Sequence, residues 1–597
     1  MEARTLTIED NGVGMSRTDL IDNLGRIANS GTANFLNNLG KDADLSLIGQ
    51  FGVGFYSAFL VADTVEVVSR SFREPEQTWK WMSSGGSFTV EEASQEELFG
   101  ERSGTKMIIH LKDEAEEYME SRKLSELLVK YSEFITFPIE VWAEKVVHEE
   151  VADESAEDGE PPKTKTVPRT TYDWEVVNKM KPIWLRSPDA VNVTEYAEFY
   201  QNTFKALDEP LTVTHFKVEG SSEFRALLFV PEQMPVELMR DMFSESGRAM
   251  RLYVKRVFIN DKFEDLVPRW LAFVRGVVDA EDLPLNVGRE ILQQSRMLKT
   301  IRRRIARKVL DSINDLRMKD SAKYDILWNQ YGKYLKVGLI EEREYKDDLM
   351  KLLRFWSSGN PDNQTSLAEY VFRMQEGQKS IYFVVGDGKR GAEMAPAMEK
   401  MRQKGLEVLY VVDPLDELCV SGIGEFDRKT LVDINKADLD LDSEEEVSHI
   451  KEVAQEYEPL VKWLKEQLGD RVQDVKVSAR LVDSAATLVQ GAWGMSPMMQ
   501  RYMRAQAAST ADGAFALGAR NQAILEINPD SMVITKLRRA METWPDAEST
   551  KDMVMMLYET AALIGGYSIE DPAEFAQRVS KLMEGAPDGF DEEEQAF

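Results

Sequence analysis

The sequence is poor in the residues that hold small or metal-bound folds together. It has one cysteine, Cys419, so an internal disulfide is excluded, and its four histidines are too scattered for a clustered zinc site. It also lacks a run of about eighteen uninterrupted apolar residues, which a membrane-spanning helix would need. We therefore expect a soluble chain with no structural metal and no membrane insertion.

Positive charge is scarce relative to negative charge. The formal net charge is −31, which repels nucleic-acid phosphates at long range and argues against a nucleic-acid partner. Hydrophobic residues make up 43% and charged residues 30%, as is typical of globular proteins. Because 597 residues are too many for one hydrophobic core, we expect roughly two to four domains.

Changes in pattern and charge predict three domains and a linker. Residues 1–145 alternate strand-like and helix-like segments, which predicts an α/β domain with a mixed or antiparallel sheet. An acidic stretch without apolar period, EEVADESAEDGEPPKTK, predicts a linker over 146–172. A second α/β region then covers 173–437, and residues 438–597 form a helical region with an acidic tail.

Individual elements are predicted from hydrophobic periodicity. The expected strands are 4–9, 64–70, 79–82, 87–91, 106–111, 227–230, 251–259 and 380–385. The expected helices are 17–25, 55–61, 290–317, an amphipathic helix through Val453, Tyr457, Leu460, Trp463 and Leu464, and apolar helical segments after Thr550.

Two glycine-rich segments are candidates for a nucleotide site. In the first, DNGVGM at 10–15, the glycines permit a tight turn and Asp10 can accept a hydrogen bond from an exocyclic amine. An ordinary capped turn is the alternative there. In the second, GQFGVGF at 49–55, the glycines expose successive amides at the start of an apolar helix, where anions are favoured. Close helix packing is the alternative for this segment.

These motifs occur with NLGRIANSGT at 23–32 between them and with Gly104-Thr105 opening a later strand. In this order they resemble the ATPase superfamily shared by gyrase B, MutL proteins, histidine kinases and heat shock protein 90. The segment IGQFGVGFYSAFLVAD is similar to the corresponding segment of the heat shock protein 90 family in particular. The resemblance implies an α/β multidomain fold: a partial Bergerat-type ATP-binding α/β sandwich, an α/β middle domain and a mainly α-helical dimerisation domain.

The resemblance also implies roles for the motif residues. Asp10 would bind the adenine amine, helped through water by Thr105, and the segment from about 25 to 49 resembles a mobile lid over the nucleotide. The implied ATP-binding set is Asp10, Gly14, Met15, Asn23, Ser30, Gly31, Gly49, Gln50, Phe51, Gly52, Val53, Gly54, Phe55 and Thr105.

A later loop, LPLNVGREILQQ at 283–294, is similar to the catalytic loop of the same family. The resemblance implies that Arg289 reaches the terminal phosphate of ATP and that Gln293 assists, a task that suits the planar donors of arginine. A surface arginine at a helix start is the alternative.

Mg²⁺ would be carried with the nucleotide, but the family's magnesium-binding asparagine and general-base glutamate precede the Asp10 strand and are absent from this sequence. We therefore expect an N-terminally truncated chain, from a gene model or a short isoform, with reduced hydrolysis.

Client binding and dimerisation are expected in the middle and last regions. Trp184 matches a family tryptophan associated with client contact, whereas a core or domain-edge aromatic is the alternative. The segment WGMSPMMQRYM offers flexible side chains that suit many apolar partners, although core packing is the alternative for methionine stripes. Apolar stripes near 553–564 and 575–583 match the family's dimer bundle. The client-binding candidates are Trp184, Trp493, Met495, Met498, Met499 and Met503.

Taken with its motifs, the chain resembles an ATP-dependent, stress-related chaperone that assists folding of unfolded or partly folded clients as a homodimer, with possible cochaperones. A dimeric holdase deficient in ATP hydrolysis is the alternative, because the glutamate-bearing helix is not in the sequence. A DNA-linked enzyme of the gyrase or MutL class ranks third, since the Arg289 loop does not resemble those proteins. Plastid or endoplasmic reticulum is favoured over cytoplasm, because the segments around 137–142 and 173–175 resemble those members.

Overall fold

The structure is a computed structural model, and it divides into two compact units, Met1–Ser312 and Ile313–Phe597. No helix within the described part of the chain is both long and apolar enough to cross a membrane. The described residues are 4–27, 29–30, 52–94, 103–135, 137–152, 164–179, 182–220, 223–281, 283, 296–436, 444–491, 494–509, 523–569 and 571–584.

The first unit begins with an antiparallel five-stranded sheet. Its strands are β1 (Thr5–Asp10), β2 (Ala62–Arg70), β3 (Thr78–Ser83), β4 (Phe88–Glu92) and β5 (Gly104–Leu111). The spatial order is β1-β5-β2-β3-β4, so β1 is an edge strand. All four neighbouring pairs are antiparallel, which agrees with the predicted sheet type.

One face of this sheet is buried because apolar residues alternate along its central strands. Val65 and Val67 of β2, Ile109 of β5 and Trp81 of β3 are almost inaccessible to water. Each such side chain stabilises the fold by about 1.5–3 kcal/mol. The Phe55 ring closes this core edge-to-face against Trp81, with ring centroids 5.5 Å apart.

A short helical segment follows the glycine turn, as predicted for 17–25. It consists of Arg17–Asp19 continued by a π-type turn, Leu20–Leu24. It starts there because Ser16 and Asp19 form a reciprocal capping box: the Ser16 amide donates to Asp19 Oδ2 at 3.0 Å and the Asp19 amide donates to Ser16 Oγ at 3.2 Å. This fixes the chain just after Met15.

The predicted linker contains regular structure. Strands β6 (Glu140–Ala152) and β7 (Thr164–Val176) pair as an antiparallel ribbon, with Trp142 opposite Trp174. Much of 146–172 is therefore strand, because the Thr-, Val- and aromatic-rich flanks favour pairing despite the acidic charge between them. The domain limits themselves stay predictions.

A second five-stranded sheet completes the first unit, in the order β11-β10-β12-β9-β8. Its strands are β8 (Pro210–Val218), β9 (Phe224–Pro231), β10 (Ala249–Val254), β11 (Val257–Asn260) and β12 (Arg275–Ala280). The single strand predicted at 251–259 is a hairpin instead. Lys255 and Arg256 turn the chain with positive φ values of 50° and 68°, a conformation usually supplied by glycine or asparagine.

The second unit contains a six-stranded mixed sheet and a three-stranded sheet. The first has the order β14-β13-β16-β15-β18-β17, with β15 parallel to both of its neighbours, and the second has the order β19-β21-β20. The strands are β13 (Arg354–Ser357), β14 (Asn360–Ser366), β15 (Ser380–Val385), β16 (Val408–Val411), β17 (Glu425–Phe426), β18 (Lys429–Asp433), β19 (Asp474–Val477), β20 (Ala486–Gln490) and β21 (Ala523–Ile527).

Helices surround these sheets. The helix expected over 290–317 is described as Arg296–Lys319. The predicted amphipathic helix is two helices, Glu444–Glu456 and Glu458–Leu468, separated by Tyr457, and Pro459 lies in the first turn of the second. The other α-helices are Ala58–Val61, Ser121–Ser132, Val193–Phe204, Val236–Arg240, Ser321–Glu341, Lys346–Leu352, Leu367–Arg373, Gly388–Glu393, Met398–Gln403, Pro414–Ile423, Pro497–Ser509, Met532–Thr543, Glu548–Ile564 and Pro572–Glu584. Short 3-10 turns are Gly54–Ser57, Asp113–Met119, Ile183–Leu185, Pro188–Ala190, Glu245–Gly247, Glu264–Leu266, Arg269–Leu271, Arg343–Tyr345 and Gly469–Arg471.

Candidate functional site

Three polar side chains stand in a row across the first sheet. Asp10 at the end of β1 lies directly opposite Thr105 on β5, and Thr105 lies directly opposite Ser69 on β2. Directly opposite residues of antiparallel strands point to the same face of a sheet. The pairing thus brings together Asp10 and Thr105, which are predicted to bind the nucleotide, and adds Ser69.

The Ser69 hydroxyl orients the Thr105 hydroxyl. Ser69 Oγ donates to the Gly104 carbonyl oxygen at 3.0 Å and lies 2.9 Å from Thr105 Oγ1. Since a hydroxyl carries one hydrogen, Thr105 is then the donor in the second bond, and its lone pairs remain for another donor. Ser69 Oγ also accepts the Met15 amide at 2.9 Å, which ties the glycine turn to the sheet.

Asp10 keeps an open acceptor. Its Oδ1 accepts the Gly12 amide at 2.9 Å, an Asx-type turn that fits the capped-turn alternative. Its Oδ2 has no hydrogen-bond partner among the described residues, and the side chain is exposed. The carboxylate therefore holds the turn with one oxygen and can accept a ligand amine with the other.

Gly14 is required by close backbone packing. Its φ is +62°, and a Cβ placed there would lie 1.7 Å from the Arg70 carbonyl oxygen at the end of β2. No side chain fits that space, and a left-handed backbone is itself unfavourable for other residues. The residue thus lets the loop after Asp10 lie directly on the sheet, which keeps Met15 within reach of Ser69.

Gly52 and Gly54 of the second motif differ in how closely other atoms pack against them. A Cβ at Gly52, whose φ is +63°, would lie 2.3 Å from the Asn29 carbonyl oxygen, so the close-packing alternative applies to Gly52. A Cβ at Gly54 would meet no described atom within 4 Å, and Gly54 is exposed. Gly54 therefore has no packing reason among the described residues, and its open backbone suits an approaching ligand.

Five further residues predicted for the site lie in these two motifs or in the segment that joins them. Met15 and Phe55 pack against the core of the first sheet and are half-buried, and Asn23 is half-buried on the turn Leu20–Leu24. Val53 is half-buried before the turn Gly54–Ser57, and Ser30 is buried. Gly31, Gly49, Gln50 and Phe51 lie outside the described residues.

The described residues fit a purine nucleotide in two respects. The exposed Asp10 oxygen, beside the oriented Thr105 hydroxyl, matches an exocyclic amine and its water, and the open Gly54 backbone matches a negatively charged group. Sequence reasoning missed Ser69, although a polar hydroxyl in line with Val65 and Val67, on the buried face of β2, was a signal.

Arg289 and Gln293, the predicted catalytic residues, lie outside the described residues, as does Trp493.

Trp184 is described and only 1% exposed. Its ring packs edge-to-face on Phe134 at 4.5 Å, and its Nε1 donates to Asp279 Oδ2 at 3.0 Å. Burial raises the pKa of Asp279, which this hydrogen bond opposes. The core alternative for Trp184 is thus the one the structure shows, and contact with a client would require Trp184 to leave this core.

The methionine candidates lie on or just before the helix Pro497–Ser509, here called the methionine helix. Met495 and Met503 are exposed, Met499 is half-buried and Met498 is buried. The helix is anchored at its start, where Ser496 Oγ accepts the Met499 amide at 3.0 Å and donates to Glu417. Its outer side therefore presents part of the predicted client surface, while Met498 serves packing.

Comparison with known proteins defines the class of this site and then the family. Residues 1–98 match the model of the histidine kinase-, DNA gyrase B- and HSP90-like ATPase, so the first sheet belongs to an ATPase domain of that class. Residues 117–596 match the model of the Hsp90 protein. The chain belongs to the Hsp90 family.

Individual relatives are similar over almost the entire chain. Heat shock protein 90-5, chloroplastic, of Arabidopsis thaliana is 41% identical over 610 residues, covering 99% of this chain and 77% of the relative. An endoplasmin homolog of Hordeum vulgare is 39% identical, covering 100% and 78%. Heat shock protein 90-6, mitochondrial, of Arabidopsis thaliana is 40% identical, covering 98% and 75%.

These matches confirm the resemblance seen in the sequence and the α/β multidomain class with an ATPase-type nucleotide-binding domain. The chain is a chaperone of the Hsp90 family that acts in protein folding, and by family it binds client proteins and is dimeric.

Proposed function

We propose that the chain binds ATP at the row of Asp10, Thr105 and Ser69, here called the Asp10 row, and uses ATP to drive a dimeric clamp that assists the folding of unfolded or partly folded clients. The observation that carries this proposal is the register that sets Asp10 opposite Thr105, with one Asp10 oxygen open and Thr105 oriented by Ser69. An adenine amine would donate to Asp10, and a water would bridge it to Thr105.

Hydrolysis is assigned to residues of the second motif and of the later loop. In this proposal the amides around Gly54 hold phosphate oxygens, Arg289 neutralises charge that develops on the terminal phosphate, and Gln293 assists. Mg²⁺ bound with the nucleotide would supply further charge neutralisation. The family resemblance of the loop at 283–294 supports the roles of Arg289 and Gln293.

Clients are proposed to bind the outer side of the methionine helix. Met495 and Met503 are exposed next to Tyr502, and flexible thioethers adapt to apolar surfaces of varied shape.

Homodimers are proposed to form through the last helices, Glu548–Ile564 and Pro572–Glu584, and cochaperones would be additional partners. The net charge of −31 argues against nucleic acid.

A dimeric holdase that protects clients without hydrolysis is the second candidate, and one experiment separates the two. ATP binding, phosphate release and suppression of client aggregation are measured for the wild type and for Asp10→Asn. Replacing the carboxylate by an amide removes one acceptor, so nucleotide affinity should fall about 10- to 100-fold. The matched control is Asp63→Asn, an exposed aspartate at the start of β2.

Each outcome decides between the candidates. Phosphate release that is lost in Asp10→Asn, together with ATP-dependent protection, supports the ATP-driven clamp. Nucleotide binding without phosphate release, with client protection equal in both proteins, supports the holdase. If Asp10→Asn and Asp63→Asn bind ATP as the wild type does, the Asp10 row is not the nucleotide site.

An organelle is the proposed location, with plastid or endoplasmic reticulum favoured and cytoplasm as the alternative. Two similar relatives are named chloroplastic and mitochondrial, and others are endoplasmin homologs. Immunofluorescence of the endogenous protein with organelle markers tests this, and uniform cytoplasmic staining would contradict it.

A further inference from the structure

The ribbon formed by β6 and β7 carries three aromatic side chains in mutual contact on one face. Trp142 lies opposite Trp174, with ring centroids 5.3 Å apart, and Trp142 stacks on Tyr172 with an interplanar angle of 16° and centroids 6.5 Å apart. We call these three residues the aromatic ribbon face. They form one continuous apolar surface on a two-stranded element.

This surface is turned to solvent. Trp142 is 50% exposed, and Tyr172 and Trp174 are each 56% exposed, while Val141 on the opposite face of the ribbon is buried. Cross-strand aromatic pairs stabilise a ribbon, and a two-stranded ribbon needs such help. Pairing of the rings with one another nevertheless leaves half of each side chain in water, which core packing does not explain. Contiguous exposed aromatic surface of this kind is typical of interaction sites.

The negative charge around the rings indicates which kind of partner they can bind. Residues 140–176 contain eleven acidic and four basic residues, a net charge of −7. Glu144 lies opposite Tyr172 and Glu140 lies two residues before Trp142, so both share the face with the rings, and both are exposed. Phosphate-bearing polymers and anionic lipid surfaces are repelled by such a surface, whereas cations are attracted to carboxylates and to the faces of aromatic rings.

We propose that the aromatic ribbon face binds a lysine- or arginine-bearing segment of another polypeptide. Ammonium or guanidinium groups would lie over Trp142, Tyr172 and Trp174, and their charge would be balanced by Glu140 and Glu144. This proposal is independent of ATP binding, so its test can fail while the chaperone proposal stands.

The test is a binding titration with the full-length chain. The probe is a short fluorescein-labelled peptide in which lysine and arginine alternate with serine, and the matched probe has glutamine in place of every lysine and arginine. Fluorescence anisotropy should show binding of the basic peptide alone, weakened as ionic strength rises. The double variant Trp142→Thr/Trp174→Thr should reduce the affinity about tenfold, since threonine keeps strand propensity but offers no ring.

A second variant and a control keep the test decisive. Glu140→Gln/Glu144→Gln leaves the rings in place and should also weaken binding several-fold, and Trp544→Ala, at an exposed tryptophan of the other unit, should not. Hydrogen exchange of the β6 and β7 amides shows whether the ribbon persists. If hydrogen exchange shows that the ribbon is lost in Trp142→Thr/Trp174→Thr, the affinity of Glu140→Gln/Glu144→Gln for the basic peptide tests the proposal instead. Equal binding of both peptides, or unchanged affinity in Glu140→Gln/Glu144→Gln, overturns the proposal.

Discussion

At the scale of single residues, Ser69 controls two neighbours through one hydroxyl. It accepts the Met15 amide and fixes the hydrogen of Thr105, so removing it frees the glycine turn and lets Thr105 rotate. We expect Ser69→Ala to weaken ATP binding about fivefold to tenfold, the effect of about one hydrogen bond. Isothermal titration calorimetry measures this. Ser83→Ala, a buried serine of β3 in the same sheet, is the control, and equal loss in both variants would indicate general destabilisation.

Asp433 makes stability depend on pH in an unusual direction. Burial raises the pKa of Asp433 to about 6, although the Asn435 amide donates to its Oδ1 at 2.9 Å. Since the folded pKa exceeds the unfolded value near 3.9, this group's stabilisation is complete below about pH 4 and is lost as pH rises through about 6. The difference amounts to at most about 3 kcal/mol.

Asp433→Asn keeps an acceptor for Asn435 but cannot ionise. We therefore expect the free energy of unfolding of the variant, relative to wild type, to increase between pH 4 and pH 7. Urea unfolding followed by circular dichroism across this range measures it. Asp427→Asn, at an exposed aspartate in the neighbouring turn, is the control and should track the wild type. A constant difference between Asp433→Asn and wild type would contradict the assignment.

At the scale of elements, the strands of the first sheet were predictable because apolar and polar residues alternate along them. The register between them was not, because the pairing of Asp10 with Thr105 joins residues far apart in the chain. The β10–β11 hairpin was missed since its turn residues, Lys255 and Arg256, give no turn signal. The ribbon was missed because acidic charge masked its strand-forming flanks. For Trp184 the sequence left two alternatives open; its neighbours place the ring in the core, and client contact stays a prediction.

A carboxylate joins a helix of the second unit to the loop between β19 and β20. Glu399, on the helix Met398–Gln403, accepts the amides of Val482 at 2.6 Å, Asp483 at 2.9 Å and Ser484 at 3.2 Å. Burial opposes its ionisation, but these hydrogen bonds and the Ser484 hydroxyl outweigh burial and lower the pKa of Glu399. Its contribution to stability is therefore present above the ordinary glutamate pKa, about 4.3, and lost as pH falls through the lower folded value.

Glu399→Gln should loosen this junction at neutral pH, because an amide offers one acceptor oxygen and turns its NH₂ group toward backbone donors. We expect the amides of Val482, Asp483 and Ser484 to exchange about 10- to 100-fold faster, as for loss of charge-assisted hydrogen bonds. Hydrogen–deuterium exchange read by mass spectrometry tests it. The control is Glu393→Gln, an exposed glutamate on the neighbouring helix Gly388–Glu393, for which exchange at 482–484 should be unchanged.

At the scale of the whole molecule, the proposed dimer would bury apolar residues of the second unit that are exposed in the single chain. On the helix Glu548–Ile564, Val554, Leu557 and Ala561 pack inward, whereas Leu563 and Ile564 are about half exposed. Met583 on the last helix is 74% exposed. Exposed apolar residues on adjoining helices are what a helical dimer interface buries.

Leu563→Asp/Ile564→Asp should therefore raise the dimer dissociation constant by about a hundredfold, equivalent to ~3 kcal/mol, because each aspartate would have to lose water in an apolar contact. Sedimentation velocity over a dilution series measures the constant. The monomer fold should persist, since both positions already face water. Met532→Asp, at an exposed methionine on the separate helix Met532–Thr543, is the matched control. If Met532→Asp dissociates the dimer equally, or if neither variant does, the interface lies elsewhere, and client protection by the monomer would then have to be measured on its own.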